Sequence, residues 1–191
     1  GDGTDAAKRT AATTIRDYVL GGRVLSALTG SAPLSPDLKD FVEAVLDIHV
    51  IVGYGASEIG NVAVDGYIQR PPVIDYKLID VPELGYFGTD KPYPRGELII
   101  KTEQLMKGYF KKPDVTASLI DDEGYYHSND IMAEIGPDQI VYVDRRNNVL
   151  KLAQGEFVAL ARLESLYSAS PQIDQIYFYG TGDRSYIVGV V

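Results

Sequence analysis

Four short stretches of the 191-residue chain carry residue types that bind charged ligands. In "GYGASE" (Gly53 to Glu58), Gly53 and Gly55 let the backbone approach a flat ligand, and Tyr54 offers a stacking face. Ser57 adds a hydroxyl, and Glu58 adds a carboxylate of the kind Mg2+ takes. The plainer alternative is a glycine-rich connection with a solvated glutamate. "TGSAP" (Thr29 to Pro33) offers Ser31, either to a ligand or as a turn or helix-cap hydroxyl. "GYYHSND" (Gly124 to Asp130) puts Asp130 at an expected strand start after a turn. A carboxylate there can chelate the two hydroxyls of a ribose, as acidic residues do in other nucleotide folds; otherwise it is a turn aspartate. "DRRNNVLK" (Asp144 to Lys151) sets two guanidinium groups and two amides between apolar runs. Asn147-Asn148 without a glycine is a poor two-residue hairpin turn, because both central positions need positive φ. The pentad reads as a hinge, which must tolerate φ/ψ change, with one arginine able to reach a phosphate or ribose and Lys151 able to swing inward. It also reads as a solvated loop with a snorkelling lysine. Of the two histidines, His49 sits in an apolar run and is expected in the core, and His127 is expected to be structural rather than a catalytic base.

The elements that must position these groups follow from pattern. Residues 1 to 20 are Ala-rich, end in Gly21-Gly22 and read as helical. "RVLSALTG" reads as a short buried strand and "IHVIVGYG" as a second one. Between them, Ser35 is an expected N-cap with Pro36 at the first helical position. Leu38, Phe41, Val42, Val45 and Leu46 then share one helical face. Strand, helix, strand is the mark of a parallel sheet. The "TGSAP" and "GYGASE" loops would follow consecutive parallel strands, where such sheets bind ligands, and so would build one crevice. From Tyr67 to Tyr142 short alternating runs ("DYKLIDV", "GELIIKT", "QIVYV") lie between Pro and Gly clusters, as in a small antiparallel sheet or barrel. After the polar pentad come a hairpin-like "VLKLAQGEFVA", a helix "ALARLESLYSAS", and two strands, "IDQIYFYG" and "SYIVGVV". The last strand runs to Val191 without a cap, and a single strand-helix-strand unit is too little for a doubly wound sheet, so the chain is expected to be an internal piece of a longer protein.

Composition narrows the class. Hydrophobic residues make up 45%, enough for a sizeable core. A net charge of −9 argues against duplex nucleic acid or an anionic membrane as partner, since both select basic surfaces. The absence of cysteine rules out disulfides, cysteine zinc sites and a thiol nucleophile. No apolar run approaches the roughly 20 residues of a spanning helix, and a cytoplasmic location is the expectation.

Five motifs occur in one order: "TGSAP", "GYGASE", "GELIIKTEQLMKGYFKKPDVT", "YYHSND" and "DRRNNVLKLAQGEF". In that order the chain resembles the adenylate-forming superfamily of acyl-CoA synthetases, luciferases and nonribosomal adenylation domains. "RPPVIDYKLIDVPELGYFGTDKPYPRGEL" and "DRRNNVLKLAQGEFVALARLE" are most similar to the adenylation domain of carboxylic acid reductases. The resemblance implies an α/β fold. Residues 1–66 would be the last βαβ part of a doubly wound large lobe, and 67–144 its β-rich, barrel-like part. Residues 145–148 would be the hinge, and 149–191 the start of a mobile α+β carboxyl-terminal lobe.

The resemblance also implies a reaction: a carboxylic acid and ATP give acyl-AMP, which a thiol then captures. Ser31 with the backbone of Val52 and Gly53 would frame the AMP, Ser57 would meet a phosphate, and Glu58 would hold Mg2+. Asp130 would bind the ribose hydroxyls. Tyr142, Val143, Asp144 and Arg145 would lie along the nucleotide. Asn147 would sit near the pivot, and Lys151 would act from the moving lobe in one of its two states. In a reductase the thiol is a phosphopantetheine arm on a carrier domain, and an NADPH domain releases an aldehyde. Ser128-Asn129-Asp130 departs from the usual Thr-Gly-Asp, and Ser57 stands for a common threonine. The family's phosphate loop and late catalytic lysine belong upstream and downstream of these motifs, so the 191 residues alone are not expected to catalyse adenylation.

Overall fold

A computed structural model of the chain describes residues 2–31 and 34–191, and the chain divides into two compact units, Gly1–Gln69 and Arg70–Val191. Ala32 and Pro33 of "TGSAP" lie outside the described residues.

In the first unit, α1 (Asp2–Thr14) runs into a π-helical turn, Ile15–Val19. β1 (Ala27–Thr29) and α2 (Pro36–Leu46) follow. The start of α2 is written locally. Pro36 needs no N–H partner at the first position, and the Ser35 hydroxyl accepts the Leu38 amide at 3.3 Å. Asp47 closes the helix with φ 59°, its amide donating to the Glu43 carbonyl at 2.8 Å. β2 (Val50–Ala56) pairs in parallel with β1, Thr29 opposite Val52, as the strand-helix-strand pattern predicts. β3 (Gly60–Val64) and β4 (Tyr67–Ile68) continue the sheet antiparallel. Val45, Val50, Ile59, Val62, Ala63 and Ile68 are its buried apolar residues.

Two expectations change here. Within these 191 residues β1 stands at the edge of the sheet, with Leu25 and Leu28 92% and 72% exposed, where a buried strand was expected. A strand's own residues cannot reveal whether a layer covers each face. "GYGASE" is also not a loop throughout. β2 extends to Ala56, and only Ser57 to Ile59 turn. Gly55 allows this: a Cβ there would lie 2.2 Å from the Gly60 carbonyl oxygen on β3.

In the second unit, β5 (Val73–Ile79), β6 (Arg95–Thr102), β7 (Tyr126–Gly136) and β8 (Gln139–Arg145) form an antiparallel meander. A short helix, α3 (Pro113–Leu119), lies between β6 and β7 in sequence and contacts β7. The core runs through Leu98, Ile99, Ile100, Ile131, Met132 and Ile140. The strands stay open rather than closing as a barrel: within the unit β5 pairs with β6 and β8 with β7, so no pairing joins β5 to β8. A 3-10 turn, Arg146–Asn148, leads to β9 (Val149–Lys151). β10 (Phe157–Ala159) pairs with β9, α4 (Leu160–Ser168) packs on β11 (Tyr177–Tyr179), and β12 (Val188–Val190) pairs with β11.

Candidate functional site

Two groups of the sequence-expected residues form, one in each unit. In the first, Thr29 and Val52 are register partners, so Gly30 and Ser31, just past the end of β1, lie next to Gly53 within β2. A Cβ on Gly30 would lie 3.2 Å from the Gly53 carbonyl oxygen, so glycine is what allows the close approach. Ser31 sits at φ 69°. Asp65 clamps this strand: its Oδ1 accepts the Val52 amide at 3.0 Å, and its own amide donates to the Val52 carbonyl at 2.7 Å. Its other carboxylate oxygen lies 2.9 Å from His49 Nε2, and His49 Nδ1 lies 2.9 Å from Glu43 Oε1. Glu43 also accepts the Val50 amide at 2.8 Å. His49 is therefore not a core residue. Its side chain is 57% exposed and bridges two carboxylates, which lie 6 residues before and 16 after it and which hydropathy alone could not pair with it. Burial works to raise the Asp65 pKa, but the Val52 amide and His49 outweigh it and hold the carboxyl below its ordinary range. The Val50 amide holds the Glu43 carboxyl low in the same way. Ser57 is exposed and Glu58 half-buried in the turn after β2.

The second group lies where β6, β7 and β8 run side by side. Glu97 pairs with Ile131 and Ile99 with His127, so a step of two residues on β6 spans four on β7. The excess forms a bulge at Ser128-Asn129-Asp130, with Asn129 at φ 58°. Asp130 is thus not at a strand start but in the middle of an 11-residue strand, re-aimed by the bulge. Asparagine tolerates the left-handed region better than most residues, which lets Asn129 hold φ 58° in the bulge. Ser128 also has its place. Its buried hydroxyl donates to the Leu98 carbonyl at 2.7 Å and accepts the Asp130 amide at 3.1 Å.

Across the ladder Asp130 faces Arg145, with Nε 3.7 Å from Oδ1. Asp130 is shielded, with 16% of its side chain exposed, while Arg145 is open at 55%. Asp144 is buried and its Oδ1 accepts the Arg145 amide at 2.7 Å. Burial, then the charges of Asp130 and Asp144, push the Tyr142 phenol up to about 12. Val143 is half-buried between them. The group offers an acceptor carboxylate, a phenol O–H and a guanidinium on one strand pair, a set suited to a ribose phosphate. Lys151 lies outside this group, on the β9–β10 hairpin, with its Nζ 5.1 Å from the centre of the Phe157 ring.

Pattern reading missed Glu97. It is fully buried, and Arg146 reaches it at 2.7 Å while also pairing with Glu83. The available signal was a carboxylate inside the apolar run "GELII". Among the described residues no group of three or more His, Asp or Glu could hold a metal ion. No described helix is long and apolar enough to cross a membrane.

One unit thus carries a carboxylate, a phenol and a guanidinium on a bulged strand pair, and the other a parallel strand pair in which Gly30 and Gly53 approach closely. The chain belongs to the AMP-binding enzyme family, whose sequence model matches residues 5–110. It is 57% identical to the carboxylic acid reductase of Mycobacterium tuberculosis over 178 residues, 93% of this chain and 15% of that protein. It is 42% identical to fatty acyl-CoA synthetase A of Dictyostelium discoideum over 181 residues, 90% of this chain and 27% of that protein. Its fold matches the A-PCP didomain of carboxylic acid reductase from Segniliparus rugosus in complex with AMP. The TM-score is 0.88 at 54% identity, covering 95% of this chain and 25% of that one.

Proposed function

We propose that the chain is a segment of the adenylation domain of a carboxylic acid reductase. The observation that carries this reading is the Ser128-Asn129-Asp130 bulge, which presents a shielded carboxylate beside Arg145. It is supported by the 57% identity to a reductase against 42% to an acyl-CoA synthetase. The parent reaction joins a small carboxylic acid to ATP, giving acyl-AMP and pyrophosphate. A phosphopantetheine thiol on a carrier domain then takes the acyl group, and a reductase domain uses NADPH to release an aldehyde. The carrier and reductase domains are this segment's partners; neither nucleic acid nor membrane is, and the location is cytoplasmic.

Each residue then has a task. Asp130 accepts both ribose hydroxyls and fixes the nucleoside. Arg145 neutralises charge on the ribose or phosphate, and Tyr142, Val143 and Asp144 flank the nucleotide. Ser31 and the backbone of Val52-Gly53 frame the AMP. Ser57 donates to a phosphate oxygen as charge grows there. Glu58 fits Mg2+, which commonly binds through one or two carboxylates plus substrate phosphates rather than a full protein cage. When bound, the ion neutralises phosphate charge. Asn147 is the pivot. Lys151 is the catalytic residue of the carboxyl-terminal lobe, reaching the nucleotide in one orientation only.

The test is pyrophosphate exchange by the full-length protein against a panel of carboxylic acids, followed by NADPH oxidation in the phosphopantetheinylated form. Acid-dependent exchange with NADPH-dependent aldehyde release supports the reading. Exchange followed by transfer to coenzyme A without NADPH use makes the parent a stand-alone acyl-CoA ligase. Nucleotide binding with no exchange makes it a non-catalytic binding module.

A further inference from the structure

We propose that the buried Glu97 carboxylate is a positioning residue that couples the Asp130 bulge to the setting of the hinge. The inference rests on reading Arg146–Asn148 as that hinge. Glu97 lies on β6 with no solvent exposure. Its Oε1 accepts the Asn129 amide at 3.3 Å and lies 3.5 Å from His127 Nδ1. Its Oε2 accepts Arg146 at 2.7 Å. One carboxylate therefore holds both the residue before Asp130 and the first residue of the 3-10 turn.

A buried charge is costly unless it is paired and hydrogen-bonded. The conformer in which Arg146 points inward satisfies Glu97. A rotation about residues 146–148 that draws Arg146 outward takes away the 2.7 Å guanidinium partner of a carboxylate that stays buried, with His127 Nδ1 at 3.5 Å. Glu83 anchors the other end of the guanidinium at the surface. His127 Nε2 is in turn 3.7 Å from Asp121, so that imidazole is already shared with a second carboxylate. Glu97 thus biases the hinge toward the inward setting.

The same carboxylate fixes the Asn129 amide, and the Asp130 amide next to it is tied to Ser128. A ligand that orders the bulge holds Glu97 in place for Arg146. A lobe that withdraws Arg146 frees Glu97 to shift and loosens the bulge. Coupling of this kind is reciprocal: nucleotide favours one lobe setting, and the other setting favours nucleotide release. An ion pair that only stabilised the fold would leave these two quantities independent.

The experiment uses the full-length enzyme and four variants: Glu97→Gln, Arg146→Gln, the double variant, and Asn147→Pro. AMP affinity is read by calorimetry, and pyrophosphate exchange and acyl transfer are read separately. Each single variant at 97 or 146 is expected to weaken AMP binding and to change the ratio of the two half-reaction rates by about fivefold or more. The double variant is expected to change both by less than the sum of the singles. The telling value is AMP affinity in Arg146→Gln, because Arg146 contacts Glu97 and Glu83 and lies off the set assigned to the nucleotide. If either glutamine variant fails to fold, Arg146→Lys carries the test: it keeps a cation by Glu97, loses the fork that spans to Glu83, and is expected to shift the ratio in the same direction. A lowered melting temperature with AMP affinity and rate ratio unchanged overturns the proposal. If Asn147→Pro leaves both rates intact, the hinge reading itself fails. If Asn147→Pro suppresses one rate while the 97 and 146 variants leave the ratio unchanged, the hinge stands and the coupling is wrong.

Discussion

Replacing Asp130 with alanine removes the acceptor that the account assigns to the ribose. The side chain is largely shielded, with 16% exposed, so its hydrogen bonds are only partly in competition with water. A hydrogen bond to a charged group contributes about 1.5–3 kcal/mol. Since 1.4 kcal/mol is a factor of ten, the loss amounts to about 10- to 100-fold in AMP affinity. Two ribose hydroxyls on one carboxylate put the expected value in the upper part of that range. Arg145 opposes part of it: with its 3.7 Å partner gone, the guanidinium is free to shift toward a phosphate. Asp130→Asn keeps one carbonyl acceptor and should lose about tenfold. Calorimetric titration of AMP into the full-length enzyme and both variants, with melting curves as a fold control, gives the numbers. Unchanged affinity in a folded Asp130→Ala enzyme would refute the reasoning and leave Asp130 as part of the bulge and nothing more.

Asn147→Pro in the full-length enzyme fixes φ at the centre of the 3-10 turn. One half-reaction should fall by about tenfold or more while the other is largely kept, if trapping one setting costs about 1.4 kcal/mol; an equal fall in both, with a lower melting temperature, would indicate damage to the fold. Asn129→Val should destabilise the fold by about 1–2 kcal/mol in chemical denaturation, because a β-branched residue resists φ 58°, whereas Asn129→Gly should keep both stability and AMP binding. The Asp65 carboxyl is held below its ordinary value of 3.8, so its contribution to stability is fully present above that pH and is lost as pH falls through the lowered folded value. Melting temperature between pH 6 and 3 should therefore drop less steeply in Asp65→Asn than in wild type.

Local signals were legible and long-range ones were not. The Ser35 cap and Pro36 start of α2 are adjacent in sequence, and the parallel pairing of β1 with β2 follows from the helix between them. The hairpin of β9 and β10 was written in its alternation. α3 is only seven residues long, too short for a repeated apolar period to mark it in the sequence. The chemistry of Asp130 is legible in its residue type, but its mid-strand position is not, because a bulge depends on register against β6 rather than on its own residues. Glu97 was missed for a related reason: its amide partner lies 32 residues away and its guanidinium partner 49. Hydropathy placed His49 in the core, while two carboxylates hold it at the surface.

The central claim is that the bulge at Asp130 is where the nucleotide's ribose binds. A crystal structure of the full-length enzyme with AMP tests it directly. The account predicts both ribose hydroxyls within hydrogen-bond reach of the Asp130 carboxylate, about 2.5–3.0 Å, with Arg145 on the ribose or phosphate and Tyr142 alongside. AMP bound elsewhere, or bound with its ribose turned away from Asp130, would contradict it.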